Sequence, residues 1–272
     1  MADRDSLAII IVTYNSTEEI AGCLRSLIGH TSPFPTTITV VDNASTDGTA
    51  AYVRNNFPSV QVIESGGNLG FAKANNLGIR STDSEYVLLM NPDTEAPPGA
   101  IQTLVRGLAS HPEAAIAGAR LLSDRGFPEL SWGEPITPWN ELRQMIFSRL
   151  YHRKIRRIVR IVDKLSRQAR EVAWVSGACM VIRRTDLESV NLLDERFFMY
   201  TEDVDLCVEL GKRGRATLYV AGAEVIHYRG RSGPHNPDLE RLRQQSHIAY
   251  YDKHLPRWAP LLRAYLKAMG KL

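Results

Sequence analysis

The chain of 272 residues is 44% hydrophobic and 23% charged, enough apolar material for one large core or two small ones and too much for disorder. No apolar run approaches the roughly 18 residues that span a bilayer. The acids Asp3 and Asp5 ahead of the first run, which enters Thr13-Tyr14-Asn15, argue against a secretory signal. The net charge of +3 conceals an imbalance, because residues 149–170 hold nine Lys/Arg against one acid, Asp163, and the remainder is at −5. Three separated cysteines, Cys23, Cys179 and Cys207, form neither a disulfide framework nor a zinc-ligand spacing, which fits a cytoplasmic, reducing compartment.

In chain order, apolar runs predict strands at Leu7–Val12, Ile38–Val41, Val60–Ile63 and Tyr86–Met90, with helices near Glu18–Ile28, Asp47–Asn55, Phe71–Arg80 and Gly99–Ser110. Ser16, with Glu19 three residues on, predicts a capping box for the first helix. Continuous apolar strands alternating with helices imply an α/β fold with a mostly parallel central sheet flanked by helices. Residues 123–138 read as a loop and Trp139–Arg170 as a helical stretch. A strand pair follows around Ala173–Ser176 and Ala178–Ile182, then a helix at Glu202–Gly211, strands at Thr217–Val220 and Glu224–Tyr228, and helices from Asp238 to Leu272. One domain spans 1–232, with a basic helical insertion at 123–172, and a C-terminal helical segment occupies 233–272.

In open parallel sheets ligands sit beyond the carboxyl ends of the strands. The residues there are Thr13-Tyr14-Asn15, Asp42-Asn43, Ser65 to Gly70, and Asn91-Pro92-Asp93. Asp42 either caps its own turn or accepts a hydrogen bond from a ligand. Gly66-Gly67-Asn68-Leu69-Gly70 matches neither the dinucleotide fingerprint nor a P-loop, although the helix start behind it can hold an anion. Glu202 and Asp203 either cap their helix or, beside the apolar Phe197-Phe198-Met199-Tyr200, act as a carboxylate whose proton affinity suits a general base. His227 reads by itself as a packed or surface histidine, and the planar guanidinium groups of Arg229 and Arg231 can meet a phosphate.

Six segments in order carry a resemblance: Val12-Thr13-Tyr14-Asn15, Val41-Asp42-Asn43 through Thr49, Gly67-Asn68-Leu69-Gly70 through Asn76, Asn91-Pro92-Asp93, Trp174-Val175-Ser176-Gly177-Ala178, and Phe197 through Asp205. Over roughly residues 6–230 the chain resembles inverting nucleotide-sugar glycosyltransferases with the Rossmann-like GT-A fold, family 2 type, and most of all bacterial rhamnosyltransferases of cell-wall and surface polysaccharides. The resemblance implies donor contacts from Thr13, Tyr14, Asn15, Asp42, Asn68, Gly70, Lys73, Asn75, Asn91, Asp93, Arg229 and Arg231. It implies Asp203 as general base with Glu202 beside it, and Trp174, Gly177 and Asp205 toward the acceptor. It implies Mg2+ or Mn2+ held by Asp93 and His227, with Asn91 standing where the family's D-x-D has its first acid. The implied reaction moves a sugar, L-rhamnose from dTDP-rhamnose, to a hydroxyl of a glycan or polyprenyl-diphosphate-linked acceptor. The rivals are a UDP-hexose or UDP-N-acetylhexosamine donor and a sugar-nucleotide-binding protein without turnover.

The basic stretch has an apolar stripe, Tyr151, Ile155, Ile158, Val162, Leu165 and Ala169, at helical spacing. Trp258, Leu261, Leu262, Tyr265, Leu266 and Met269 form another beside Arg257, Arg263, Lys267 and Lys271. These stripes suit a core, a homodimer seam, or peripheral attachment to the anionic inner face of the cell membrane. Nucleic acid is disfavoured by the acidic body and the lack of a binding motif.

Overall fold

The computed structural model describes residues 6–28, 34–153, 156–228 and 237–270. The first half follows the predicted alternation: β1 (Leu7–Thr13), α1 (Thr17–Leu27), β2 (Thr36–Asp42), α2 (Thr49–Asn56), β3 (Gln61–Glu64), α3 (Phe71–Arg80) and β4 (Tyr86–Met90). β1 pairs in parallel with both β2 and β4, and β2 in parallel with β3. Every residue of β1 is buried, because alternate side chains enter cores on opposite faces of the sheet. Leu7, Ile9 and Ile11 meet Ile20, Leu24, Leu104 and Leu108 on one side. Ala8, Ile10 and Val12 meet Ala72, Ile79, Leu206 and Leu210 on the other. Each such Leu or Ile contributes about 1.5–3 kcal/mol by burial.

Beyond β4 come β5 (Thr94–Glu95), α4 (Ala100–Ala109), β6 (Ala114–Leu122), β7 (Trp132–Gly133), α5 (Pro138–His152) and α6 (Arg156–Ser166). They are followed by β8 (Arg170–Val172), β9 (Trp174–Val175), β10 (Cys179–Arg183), α7 (Arg184–Ser189), α8 (Glu202–Gly211), β11 (Ala216–His227), α9 (Pro237–His254) and α10 (Ala259–Ala268). The main sheet runs β3-β2-β1-β4-β10-β6-β11-β5, with β8 also on β11. β10 lies antiparallel between β4 and β6, while β6 and β11 are parallel to each other.

Several expectations change here. β6 is absent from the pattern reading because Ala and Gly dominate it, and these residues have little strand preference. Their small size is required: a Cβ on Gly118 would lie 2.3 Å from Val175 Cβ. The expected strand pair around Gly177 does not form, since β9 pairs with β7 and β10 enters the main sheet. The two late strands are one strand, β11, with its register shifted between Val220 and Glu224. The Trp139–Arg170 helix is two helices, and the C-terminal helical segment divides at Leu255 to Trp258.

The capping box does not form either. The Ser16 hydroxyl donates to the Tyr14 carbonyl at 3.3 Å, and α1 is capped by Asp47, whose Oδ2 accepts from the Thr17 N–H at 3.1 Å. Asp47 Oδ1 accepts from the Thr49 N–H at 3.0 Å, so one carboxylate serves the starts of both α1 and α2. Its partial burial opposes the charge, but the hydrogen bonds from Thr49 and Thr17 outweigh this and hold the carboxyl below its usual range.

The stripe of the basic insertion largely faces inward: Val162 is buried, and Tyr151 and Leu165 are half-buried, although Ala169 is exposed. Ile155 and the side chain of Ile158 lie outside the described residues. α6 is anchored to the body by Arg120, which pairs with Asp163 at 3.2 Å, and by the Tyr219 hydroxyl, which donates to the Ser166 carbonyl at 2.7 Å.

Candidate active site

The carboxyl ends of β1 and β2 and the loop after β3 form one hydrogen-bonded shelf. Asp42 is buried at the last position of β2; its Oδ1 accepts from the Thr13 hydroxyl at 3.2 Å and its Oδ2 from the Ser45 N–H at 3.0 Å. Both readings of Asp42 therefore meet in one geometry, because it caps its turn and a carboxylate retains further lone pairs for a ligand. Asn15, at φ +50°, accepts from the Thr46 N–H through Oδ1 at 2.8 Å, and Tyr14 is exposed beside it.

Asn43, which the motif reading gave no role, ties the shelf together. Its Nδ2 donates to Asn68 Oδ1 at 2.9 Å, and its Oδ1 accepts from the Leu69 N–H at 2.8 Å. Gly70 follows at φ +81°, where a Cβ would lie 2.4 Å from the Phe198 carbonyl oxygen. That carbonyl accepts the Phe71 N–H at 2.6 Å, so the start of α3 is fastened to the loop before α8. Lys73 is exposed, and its charge helps lower Glu195 behind the hydrogen bond from Asn76. Asn75 is buried, its Nδ2 donates to the Phe71 carbonyl at 2.9 Å, and its Oδ1 has no hydrogen-bond partner among the described residues.

After β4, Asn91 is half-buried with its N–H donating to the Ala178 carbonyl, and Asp93 is buried. β11 brings His227 to Asp93, with Nε2 3.4 Å from Oδ1. On the far side of the ring, Nδ1 is 2.9 Å from Glu129 Oε2. Burial disfavours the imidazolium, but Asp93 and Glu129 outweigh it and push His227 up to about 9. A carboxylate oxygen facing an imidazole nitrogen, with a second carboxylate orienting the ring from behind, is the donor chemistry of a divalent-ion site. The residues fit such an ion. Glu129 escaped sequence reasoning because it lies in a loop, 98 positions from His227, with no flanking pattern. Arg229 and Arg231 lie outside the described residues.

Asp203 stands at the opposite side of the shelf. Its Oδ2 accepts from the Gly177 N–H at 2.8 Å and its Oδ1 from the Val204 N–H at 2.8 Å. Removal from water raises its proton affinity, and these two N–H groups offset only part of the rise. Glu202, buried with Oε2 lacking a hydrogen-bond partner among the described residues, is pushed far higher by burial and by the charges of Asp203 and Asp205. Tyr200 at φ +71° and Thr201 at φ +75° precede them. Two consecutive left-handed non-glycine residues store strain of order 1–3 kcal/mol each, here spent on aiming the first turn of α8.

Two acceptor-side residues are engaged elsewhere. Trp174 donates from Nε1 to the Glu134 carbonyl at 3.0 Å, and its ring borders the small core around Phe197 and Tyr250. Asp205 points to α9, where Lys253 Nζ lies 2.8 Å from Oδ1 and His254 Nε2 2.6 Å from the same atom. Asp205, Glu209 and His254 cluster closely enough to ligate an ion, but the Lys253 ammonium already supplies the positive charge there. Neither Lys253 nor His254 carried a sequence signal, since each is an ordinary charge at a helix end.

With this geometry in hand, comparison with known proteins is informative. The model for glycosyl transferase family 2 matches residues 8–190. The chain is 30% identical, over 97% of its length and 90% of the relative's, to the N-acetylglucosaminyl-diphospho-decaprenol L-rhamnosyltransferase of Mycobacterium tuberculosis. It is 29% identical to rhamnosyltransferase WbbL of Escherichia coli over 60% of this chain and 62% of that one. Among solved structures, the mannosyltransferase PcManGT of Pyrobaculum calidifontis, in complex with GDP-Man and Mn2+, superposes with a TM-score of 0.63 at 19% identity. The match covers 96% of this chain and 69% of that one, and it is a likeness of fold, the GT-A arrangement.

Proposed function

Because the chain belongs to glycosyl transferase family 2, and is thus a glycosyltransferase, we propose that it transfers L-rhamnose from dTDP-rhamnose, with inversion, to a hydroxyl of a polyprenyl-diphosphate-linked glycan. The observation that carries the chemistry is Asp203, a half-buried carboxylate with raised proton affinity at the edge of the strand-end shelf. The rhamnosyl donor and lipid-linked acceptor are supported by the activity that the mycobacterial relative is named for, the match spanning most of both chains.

In this reading Asp42 and Thr13 receive the pyrimidine, Tyr14 flanks it, and Asn68 and the Gly70 turn border the ribose and sugar. Asp203 accepts the proton of the acceptor hydroxyl as its oxygen attacks the anomeric carbon, and the bond from that carbon to the diphosphate oxygen breaks in the same displacement. Burial and the neighbouring carboxylates favour the protonated form of Glu202 beside Asp203. Asp93 and His227 would hold a divalent cation, Mg2+ or Mn2+, with Glu129 fixing the imidazole. When bound, that ion neutralises charge on the departing dTDP. Asn91 contributes a neutral oxygen.

The test offers dTDP-rhamnose, UDP-glucose, UDP-N-acetylglucosamine and GDP-mannose with a polyprenyl-diphosphate N-acetylglucosamine acceptor, with and without each metal. The expected result is metal-stimulated release of dTDP from dTDP-rhamnose only when acceptor is present. Turnover of a different donor would reassign the sugar. Tight donor binding without turnover on any acceptor would make the chain a binding protein.

A further inference from the structure

Two helices carry apolar faces turned to solvent. On α5, Trp139, Leu142, Met145 and Ile146 recur at helical spacing and are 43–67% exposed. The opposite side of α5 is the inward one, where Glu141 receives His247 at 2.7 Å and the Tyr251 hydroxyl from α9. On α10, Trp258, Leu261, Tyr265 and Met269 are 47–60% exposed, while Ala259 and Leu266 face the body. The two helices are neighbours through one small core, to which Ile136 before α5 and Ala259 and Leu262 of α10 both contribute.

The α5 face carries Arg143 and Arg149, and α6 adds further cations, while on α10 Arg263 is paired with Asp252. Arg143, Arg149, Arg153, Arg157, Arg160 and Lys164 are exposed, and among the described residues none has a carboxylate partner. In the same insertion, Asp163 is already engaged by Arg120 and Arg167. Monomeric proteins rarely leave so many apolar side chains of two helices in water. Two apolar helix stripes, each opened by a tryptophan, with cations on α5 and α6 that lack carboxylate partners among the described residues, match the headgroup zone of an anionic bilayer. A second copy fits poorly, because two such faces would bring the same cations together. No helix among the described residues is long and apolar enough to cross a membrane, so the contact would be with its surface.

We propose that α5 and α10 together form a docking face for anionic phospholipid bilayers, with their apolar stripes in the headgroup region and the arginines of α5 and α6 on the phosphates. This surface differs from the stripe within α6, which is turned largely inward. It goes beyond the transferase reading and does not depend on which sugar or acceptor is used.

The test is flotation of the purified protein with vesicles of phosphatidylcholine alone or mixed with phosphatidylglycerol, at low and high salt. Wild-type protein should float with the mixed vesicles at low salt, stay behind with neutral ones, and be released by salt. Arg143→Glu with Arg149→Glu should lower partitioning roughly 100-fold. Leu142→Ser with Ile146→Ser on α5, and Leu261→Ser with Tyr265→Ser on α10, should each lower it about tenfold. All three double variants should melt as the wild type does, since every altered side chain is exposed. Wild-type protein that ignores anionic vesicles at low salt overturns the proposal. So do apolar double variants that float like the wild type, or a wild-type dimer that the same variants dissociate in sedimentation. Because the readout is vesicle binding, its failure leaves the transferase assay untouched, and the reverse also holds.

Discussion

The shelf at the ends of β1, β2 and β3 and the carboxylates gathered around α8 and β11 treat polar groups in opposite ways. On the shelf almost every polar atom has a partner within the chain: Asp42 with Thr13 and Ser45, Asn43 with Asn68 and Leu69, Asp47 with Thr17 and Thr49. Around α8 and β11 charged groups are withdrawn from water or crowded together: Glu202 is pushed well up with one oxygen lacking a partner among the described residues, burial raises Asp203 despite two N–H donors, and Asp93 and Glu129 push His227 up to about 9. A satisfied network holds shape before ligand arrives, whereas an under-satisfied one holds reactivity. In the proposed reading, recognition falls to a pre-formed frame and chemistry to an electrostatically tense wall.

Substitutions can break this division or sharpen it. Asp203→Asn should cost turnover a factor of roughly 10²–10⁴ while leaving dTDP binding within a few-fold. Single-turnover rates beside calorimetric binding would check it, and equal losses in both would merge wall and frame. The wild-type rate should also rise with pH through an ionisation displaced above the ordinary aspartate value, because the base must be unprotonated, and the residual rate of the variant should lack that limb. Lys253→Met should destabilise the fold by about 1–3 kcal/mol, since the buried Asp205 then keeps only His254 as a side-chain partner among the described residues. Chemical denaturation measures this, and a small loss would mean that water reaches the cluster. Glu129→Gln should weaken Mn2+ binding about 10–100-fold by releasing the His227 ring, which metal titration followed by electron paramagnetic resonance would read. Asn43→Ala should cost about 1–2 kcal/mol of stability and loosen nucleotide binding without altering the pH profile, sharpening the contrast if the profile stays fixed.

The strand ends of the frame and the acids and histidine of the wall were legible in the residues; the groups that position them, Asn43, Glu129, Lys253 and His254, were not. Apolar runs ending in Thr13, Asp42, Ser65 and Asn91 located the strand ends, because a buried parallel strand needs a continuous apolar run and a ligand edge needs polar residues just after it. Asp203 and Gly177 were named from separate motifs, and the structure joins them by one hydrogen bond. Glu129, Lys253 and His254 could not be read, since their meaning arises from partners 48 to 98 positions away. β6 hid because its small residues answer to the neighbouring Val175 rather than to strand preference. Asp205 kept the motif's position on α8 but has its oxygens on α9.

The insertion of β10 between β4 and β6 has a consequence for how the protein emerges from the ribosome. Until Cys179–Arg183 is synthesised, β4 presents a wholly apolar strand and β6 a largely apolar one, each lacking the neighbour that joins them. At roughly 5–20 residues per second, the nascent chain spends several seconds or more with Val87, Leu88 and Leu89 available to other chains. A nascent chain stalled before β10 should therefore be held by chaperones or aggregate, and one stalled well past it should resist protease across the whole sheet. The middle of the sheet is filled late, with only β11 still to come.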